Sequence, residues 1–177
     1  MFHVKHCDGV SLVTVFLFWL FWASFFGASG ARCVLVTSGM GRVISIANQK
    51  GGVGKTTTTV NLSASLAKIG FKVLVVDIDP QGNATSGLGI DKYGLEANLY
   101  DVFAGVFNLS SVIVGTELPS LWVAPANMDL VGAELELANR EGRELVLKKE
   151  LAKLKSQFDF ILIDCPPTIN MLTLNAL

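Results

Sequence analysis

From Met40 to Leu177 the chain alternates between short, continuously apolar runs and longer stretches in which apolar residues recur three or four positions apart. "RVISIA" (Arg42 to Ala47), "KVLVVD" (Lys72 to Asp77), "LWVAPA" (Leu121 to Ala126) and "FDFILID" (Phe158 to Asp164) read as buried strands. "KTTTTVNLSASLAKIG" reads as a helix that stops at Gly70. Residues 129–156 carry helical sequence broken near Arg140 to Gly142. In its second half Leu147, Leu151 and Leu154 recur at i, i+4 and i+7, a core-packing stripe and not a cofactor box. "IDPQGNATSGLGI" is rich in Gly, Asn, Ser and Pro and reads as a loop. "MLTLNAL" opens a helix without cap or polar tail, so the chain reads as a fragment truncated at its C-terminus. Apolar strands alternating with helices specify an α/β fold, a mostly parallel sheet with helices on both faces.

Composition divides the chain in two. Gly9 to Ala31 carries no charge, and residues 1–39 hold six of the eleven Phe and two of the three Trp. Residues 1–39 thus form an apolar leader, and residues 40–177 an ordinary α/β domain. Three readings compete for the leader. It is long enough for a membrane segment, which takes roughly 18 or more apolar residues. It has the outline of a signal peptide, with Lys5 before the apolar core and Ala28 to Ala31 after it. Or it is upstream DNA translated from a misassigned start, Met40 standing directly before the first strand.

Net charge is -1, so no overall basic character points to nucleic acid. From Met40 onward 12 Lys and Arg face 14 Asp and Glu, which leaves no net attraction to a phosphate backbone. Cys7, Cys33 and Cys165 show neither metal-ligand nor redox spacing, in keeping with a reducing compartment. Cys165 reads as a small buried residue at a strand end. Alone it cannot supply the ligands of an interface iron–sulfur cluster.

Between the first strand and the first helix lies "NQKGGVGKTT". A glycine-rich turn at that place points successive backbone N–H groups inward, and the helix N-terminus adds partial positive charge. Gly51, Gly52 and Gly54 let the backbone take positive φ and come close to an anion. Lys55 is placed to neutralise β- and γ-phosphates, and Thr56 to put its hydroxyl on Mg²⁺. The binding set is Lys50, Gly51, Gly52, Val53, Gly54, Lys55, Thr56 and Thr57. The usual G-x-x-x-x-G-K-[ST] pattern fails because Gln49 takes its first glycine position; the match is to K-G-G-x-G-K-[ST].

Ligands of open α/β sheets sit at the carboxyl ends of strands, so Asp77, Asp79 and Asp164 can converge on this loop. An apolar strand ending in aspartate suits a carboxylate that holds Mg²⁺, the role assigned to Asp164. Asp79 reads as the residue positioning an attacking water and as a further metal contact. Asp77 reads as a brace for the loop. Either could instead be a plain turn former.

"ISIANQKGGVGKTTTTVNLSASLA", "VLVVDIDPQGNATSGLGI" and "FDFILIDCPPTINMLTLNAL" together resemble the ParA/Soj partition ATPases of the MinD/ParA deviant-Walker P-loop superfamily. The resemblance covers Met40 to Leu177. It implies a P-loop NTPase fold, an ATP- and Mg²⁺-dependent ATPase with Lys50, Lys55 and Asp79 as catalytic residues, and a homodimer enclosing two ATP. It also implies non-specific DNA binding by the full-length protein, a ParB-type centromere-binding partner that stimulates turnover, and a cytoplasmic, nucleoid-associated place. The family's pattern continues past Leu177 with the adenine-closing and most DNA-contacting parts. Within the family the earlier lysine, here Lys50, reaches the nucleotide of the partner subunit; the plainer alternative is added charge in its own site. The competing functions are a MinD-like spatial regulator at the membrane, with the leader as a genuine anchor, and an inert truncated product.

The opening "MFHVKH" can be encoded as ATG TTT CAC GTG AAA CAT, identical to its own reverse complement over all six codons. Such a palindrome resembles the site bound by the centromere-binding partner of partition ATPases. If Met1 to His6 is a translated DNA element, the gene carries those codons. Sequencing the gene's 5′ end decides it, and a non-palindromic choice of codons removes the argument.

Overall fold

The computed structural model describes residues 41–138 and 140–177. The readings of residues 1–39, Cys7 and Cys33 among them, lie outside the described residues, as does Met40. Strands β1 (Arg42–Ile46), β2 (Val73–Asp77), β3 (Val114–Gly115), β4 (Leu121–Ala124) and β5 (Phe160–Asp164) form one sheet in the order β1-β5-β2-β4-β3. All neighbours run parallel except β3 against β4. The expected mostly parallel α/β sheet is therefore what forms.

The helices are α1 (Lys55–Lys68), α2 (Asn83–Gly87), α3 (Leu99–Ala104), α4 (Ala133–Ala138), α5 (Val146–Leu154) and α6 (Met171–Ala176). They cover both faces. Val73, Val75, Phe160 and Leu162 pack with α1, through Ala67, Val60 and Leu66, and with α2, through Ala84. Leu74, Val76, Ile161 and Ile163 point the other way and pack under α3 to α6. Every residue of β2 and β5 is buried, which is why these strands read as unbroken apolar runs and not as alternating ones. Leu147, Leu151 and Leu154 are all buried in the second layer, as their spacing predicts.

The structure differs from the sequence reading in four places. The apolar run at Leu121 ends as a strand at Ala124, because Pro125 has no N–H to continue the ladder. The stretch read as a loop after Asp77 contains the short helix α2. The segment left unassigned before Leu121 contains α3, which is held by a capping box. Asn98 Oδ1 accepts from Tyr100 N at 2.8 Å, and Asp101 Oδ2 accepts from Asn98 N at 2.9 Å. The two-residue strand β3 is too short to leave a periodic signal.

β5 lies between β1 and β2, and its lack of a polar face fits that inner position, since each of its edges and both of its faces are covered. Its register aligns Asp164 with Ile46 of β1 on one side and Asp77 of β2 on the other. That alignment brings three strand ends to one place.

In the full-length chain, Leu162→Ala removes a side chain packed from all sides and costs about 2–5 kcal/mol of stability. Leu135→Ala, on a side chain 80% exposed, costs less than about 0.5 kcal/mol. Denaturant unfolding of both variants checks the placement, and equal losses would refute it.

Candidate functional site

The chain leaves β1 at Ile46 and enters α1 at Lys55 through the glycine loop. Gly52 and Gly54 have φ of 69° and 86°, a backbone region open to glycine and strained for other residues. A Cβ added at Gly51, Gly52 or Gly54 would meet nothing within 4 Å, so the loop frames open space and is not packed against protein. Gly54 is the N-cap of α1. It offers no side-chain cap, and the first turn of the helix contains no acidic residue. The N–H groups at that end are therefore not capped by a side chain, as an anion site requires.

Lys55 is buried, and its ammonium lies 3.5 Å from the carbonyl oxygen of Lys50. Lys50 and Thr57 are exposed and Val53 is half-buried. The Lys50 backbone N–H donates to Asn48 Oδ1 at 2.9 Å, which pins the loop's entrance and leaves the side chain outward.

Asp164 is the anchor beneath the loop. It is fully buried, and its Oδ2 accepts from the Thr56 hydroxyl at 2.8 Å while its Oδ1 accepts from the Thr59 hydroxyl at 2.8 Å. Burial raises its carboxyl above the usual range; the two threonine hydroxyls and Lys55 oppose that shift, and the charge of Asp79 adds to it. Thr59 was not among the expected site residues. The signal was present: within "KTTTT", Thr56 and Thr59 stand three apart and so share one face of a helix.

Asp77 and Asp79 behave differently. Asp77 is fully buried and holds its own loop. Its Oδ1 accepts from Asp79 N at 3.2 Å, and its Oδ2 accepts from both Thr85 N and the Thr85 hydroxyl at 2.8 Å each. Burial pushes its carboxyl up to about 7, chiefly through lost solvation. Asp79 sits on the turn that follows, and its Oδ1 accepts from Gln81 N at 2.9 Å. That turn closes tightly on the exit of β4, where a Cβ at Gly82 would lie 2.5 Å from the carbonyl oxygen of Ala126. Of the three carboxylates, Asp164 touches the helix that follows the glycine loop through Thr56 and Thr59, and Asp79 is close enough for its charge to be felt at Asp164. Asp77 is turned to the Thr85 side.

Cys165 is buried directly after β5, and its thiol is pushed up to about 12, mainly by burial, so it is not a nucleophile at neutral pH. Among the described residues no group of three His, Cys, Asp or Glu side chains could hold a metal ion by itself. The donors at hand, the Thr56 hydroxyl and the Asp164 and Asp79 carboxylates, are hard oxygens. They suit a cation such as Mg²⁺, which takes one or two carboxylates and completes its shell with phosphates and water. Among the described residues no helix is long and apolar enough to cross a membrane.

Residues 41–177 match the family model described as an AAA domain. The sporulation initiation inhibitor protein Soj of Bacillus subtilis (strain 168) is 54% identical over 138 residues, covering 78% of this chain and 54% of Soj. The crystal structure of cobyrinic acid a,c-diamide synthase from Mycobacterium smegmatis, with bound ATP analogue and magnesium, superposes with a TM-score of 0.74 at 47% identity. That match covers 77% of this chain and 55% of the other. The septum site-determining protein MinD of Pyrococcus horikoshii, complexed with Mg-ADP, gives 0.66 at 35% identity over 77% and 54% of the two chains. The chain spans about half the length of the curated relatives it matches.

The buried Asp77 predicts a pH signature. Its folded pKa of about 7 lies above the ordinary 3.8, so its contribution is fully present below pH 3.8 and is lost as pH rises to about 7. The stability difference between the wild-type full-length chain and Asp77→Asn should shift against the wild type by at most about 1.4 kcal/mol per pH unit across that window and be flat above it. Urea unfolding at stepped pH measures this. A pH-independent difference would mean that Asp77 does not titrate there.

Proposed function

The chain belongs to the AAA-domain family and is a Soj homologue, and on that premise we propose that it is the nucleotide-binding part of a ParA-like partition ATPase. It binds ATP with Mg²⁺ and hydrolyses the γ-phosphate. In full length it works as an ATP-dependent homodimer in the cytoplasm, on non-specific DNA, with a ParB-type centromere-binding protein as its stimulating partner. It thereby segregates chromosomes or plasmids. The domain that does this begins at residue 40.

One observation carries the reading. At the base of an open glycine loop, the first turn of α1 is tied to the end of β5 by the Thr56 to Asp164 hydrogen bond. The same turn buries Lys55 and leaves its own N–H groups without a side-chain cap. The bound ATP analogue and magnesium of the similar synthase, and the Mg-ADP of MinD, support the same ligand class.

The roles follow from the charges. The N–H groups of Gly51 to Thr57 take the phosphate oxygens, and Lys55 neutralises the β- and γ-phosphates. Thr56, Asp164 and Asp79 would hold Mg²⁺, which would supply positive charge against the phosphate oxygens. For Thr56 to serve, its hydroxyl must give up Asp164 Oδ2, while Thr59 keeps Oδ1. Asp79 orients the attacking water, hydrolysis then resting on positioning and charge and not on a covalent intermediate. Lys50, exposed at the mouth of the loop and with no ammonium partner among the described residues, is available to the nucleotide of a second subunit. There it adds positive charge as the transition state spreads charge over the γ-phosphoryl oxygens.

Full-length protein tests this by ATP binding, turnover and sedimentation with ATP. Lys55→Ala is expected to abolish tight ATP binding. Lys50→Ala is expected to keep binding by the single subunit, to lose turnover on the order of 10³-fold and to weaken the ATP-dependent dimer. Turnover by a strict monomer would remove the role given to Lys50, and absence of ATP binding in the wild type would remove the whole reading.

A further inference from the structure

We propose that Thr85, whose side chain hydrogen-bonds to Asp77 and Ala126 and not to the glycine loop or Asp164, is a positioning residue that sets where the Asp79 carboxylate stands; this rests on the reading of Asp79 as the group that orients water. A carboxylate that orients water must itself be held, and Asp79 lies on a turn outside the sheet ladder. Its main chain is tied by Gly82 N to Asp79 O at 2.8 Å and by Asp79 N to Asp77 Oδ1 at 3.2 Å. The second bond is directional only if the Asp77 carboxylate cannot rotate.

Thr85 supplies that restraint. Its N–H and its hydroxyl both donate to Asp77 Oδ2, each at 2.8 Å. With its one proton given to Asp77, the hydroxyl oxygen accepts from Ala126 N at 3.1 Å. A single side-chain oxygen thus joins the end of β2, the helix α2 and the exit of β4. Asp77, Thr85 and Ala126 are each fully buried, so no water can substitute. Beyond Ala126 the same segment reaches the turn again, with Gln81 Nε2 3.6 Å from Met128 Sδ. Valine at 85 would keep the shape, remove the hydroxyl donor from Asp77 and orphan the Ala126 N–H. Serine would keep both bonds.

A residue that merely braced the fold would lower stability without separating binding from turnover. The experiment uses full-length protein with a non-hydrolysable ATP analogue for affinity and ATP for turnover, comparing wild type, Thr85→Val and Thr85→Ser. Positioning predicts that Thr85→Val binds the analogue like wild type while kcat falls roughly 10²-fold, the scale of a small misplacement of a reacting group. It also predicts that Thr85→Ser recovers kcat. If Thr85→Val is recovered unfolded, Thr85→Ala takes its place against Thr85→Ser with the same criterion. Wild-type kcat in the valine or alanine variant overturns the proposal. So does loss of analogue affinity in step with kcat, or a serine variant as slow as the valine one. A wild type that neither binds the analogue nor turns over ATP refutes the proposed function instead, and the two failures are told apart by that control.

Discussion

The pair of hydrogen bonds from Thr56 and Thr59 to Asp164 is the interaction on which the rest of the molecule turns. It joins the last residue of a fully buried strand, β5, to the first turn of the helix that follows the glycine loop. A carboxylate in that place is costly: burial disfavours its charged form, and the strand supplies no cation of its own. Two hydroxyls and the nearby Lys55 offset the cost. The arrangement ties the start of α1 to the end of β5.

The helix carrying those hydroxyls explains why the loop can sit so close to the sheet. Along α1 the buried positions are Lys55, Thr59, Ser63 and Ala67, spaced one turn apart. After Lys55 these side chains are small, and the larger Val60 and Leu66 pack against the first layer's core. Ser63 turns its hydroxyl back to the Val60 carbonyl at 2.9 Å, so the buried polar atom is not left unpaired. A stripe of threonine, serine and alanine is not an apolar stripe by composition, and yet it is the packed face.

The second half of the site, from Asp77 to Gly82, is held by a different logic. Its backbone leaves the sheet, and its order depends on contacts with α2 and with the exit of β4. Asp77 and Asp164 stand side by side in register at the ends of adjacent strands, yet they turn to opposite partners, Thr85 and the Thr56–Thr59 pair. Each is raised chiefly by burial; the charge of Asp164 adds to the shift at Asp77, and the charge of Asp79 to that at Asp164. Separate hydroxyl partners are what allow two buried carboxylates to coexist at one sheet end.

What could be read from sequence was what local chemistry dictates. The four long apolar runs, the glycine loop between strand and helix, the Leu147–Leu151–Leu154 stripe and the aspartates at strand ends each carry their signal within a few residues. Asn98 and Asp101 carried one too, for α3, in a capping pattern that went unread. Other features exist only because distant segments meet. The order β1-β5-β2 places the last strand of the described chain between the first two, and no periodicity encodes which neighbours a uniformly apolar strand will choose. Thr59 and Thr85 look like ordinary polar helix residues until Asp164 and Asp77 arrive beside them from other strands. The sequence by itself determined the elements and the kinds of groups that could handle phosphate. The tertiary structure alone decided which hydroxyl meets which carboxylate, because a hydrogen bond is set by distance and direction in space, and the residues that make these ones are 105 and 8 positions apart along the chain.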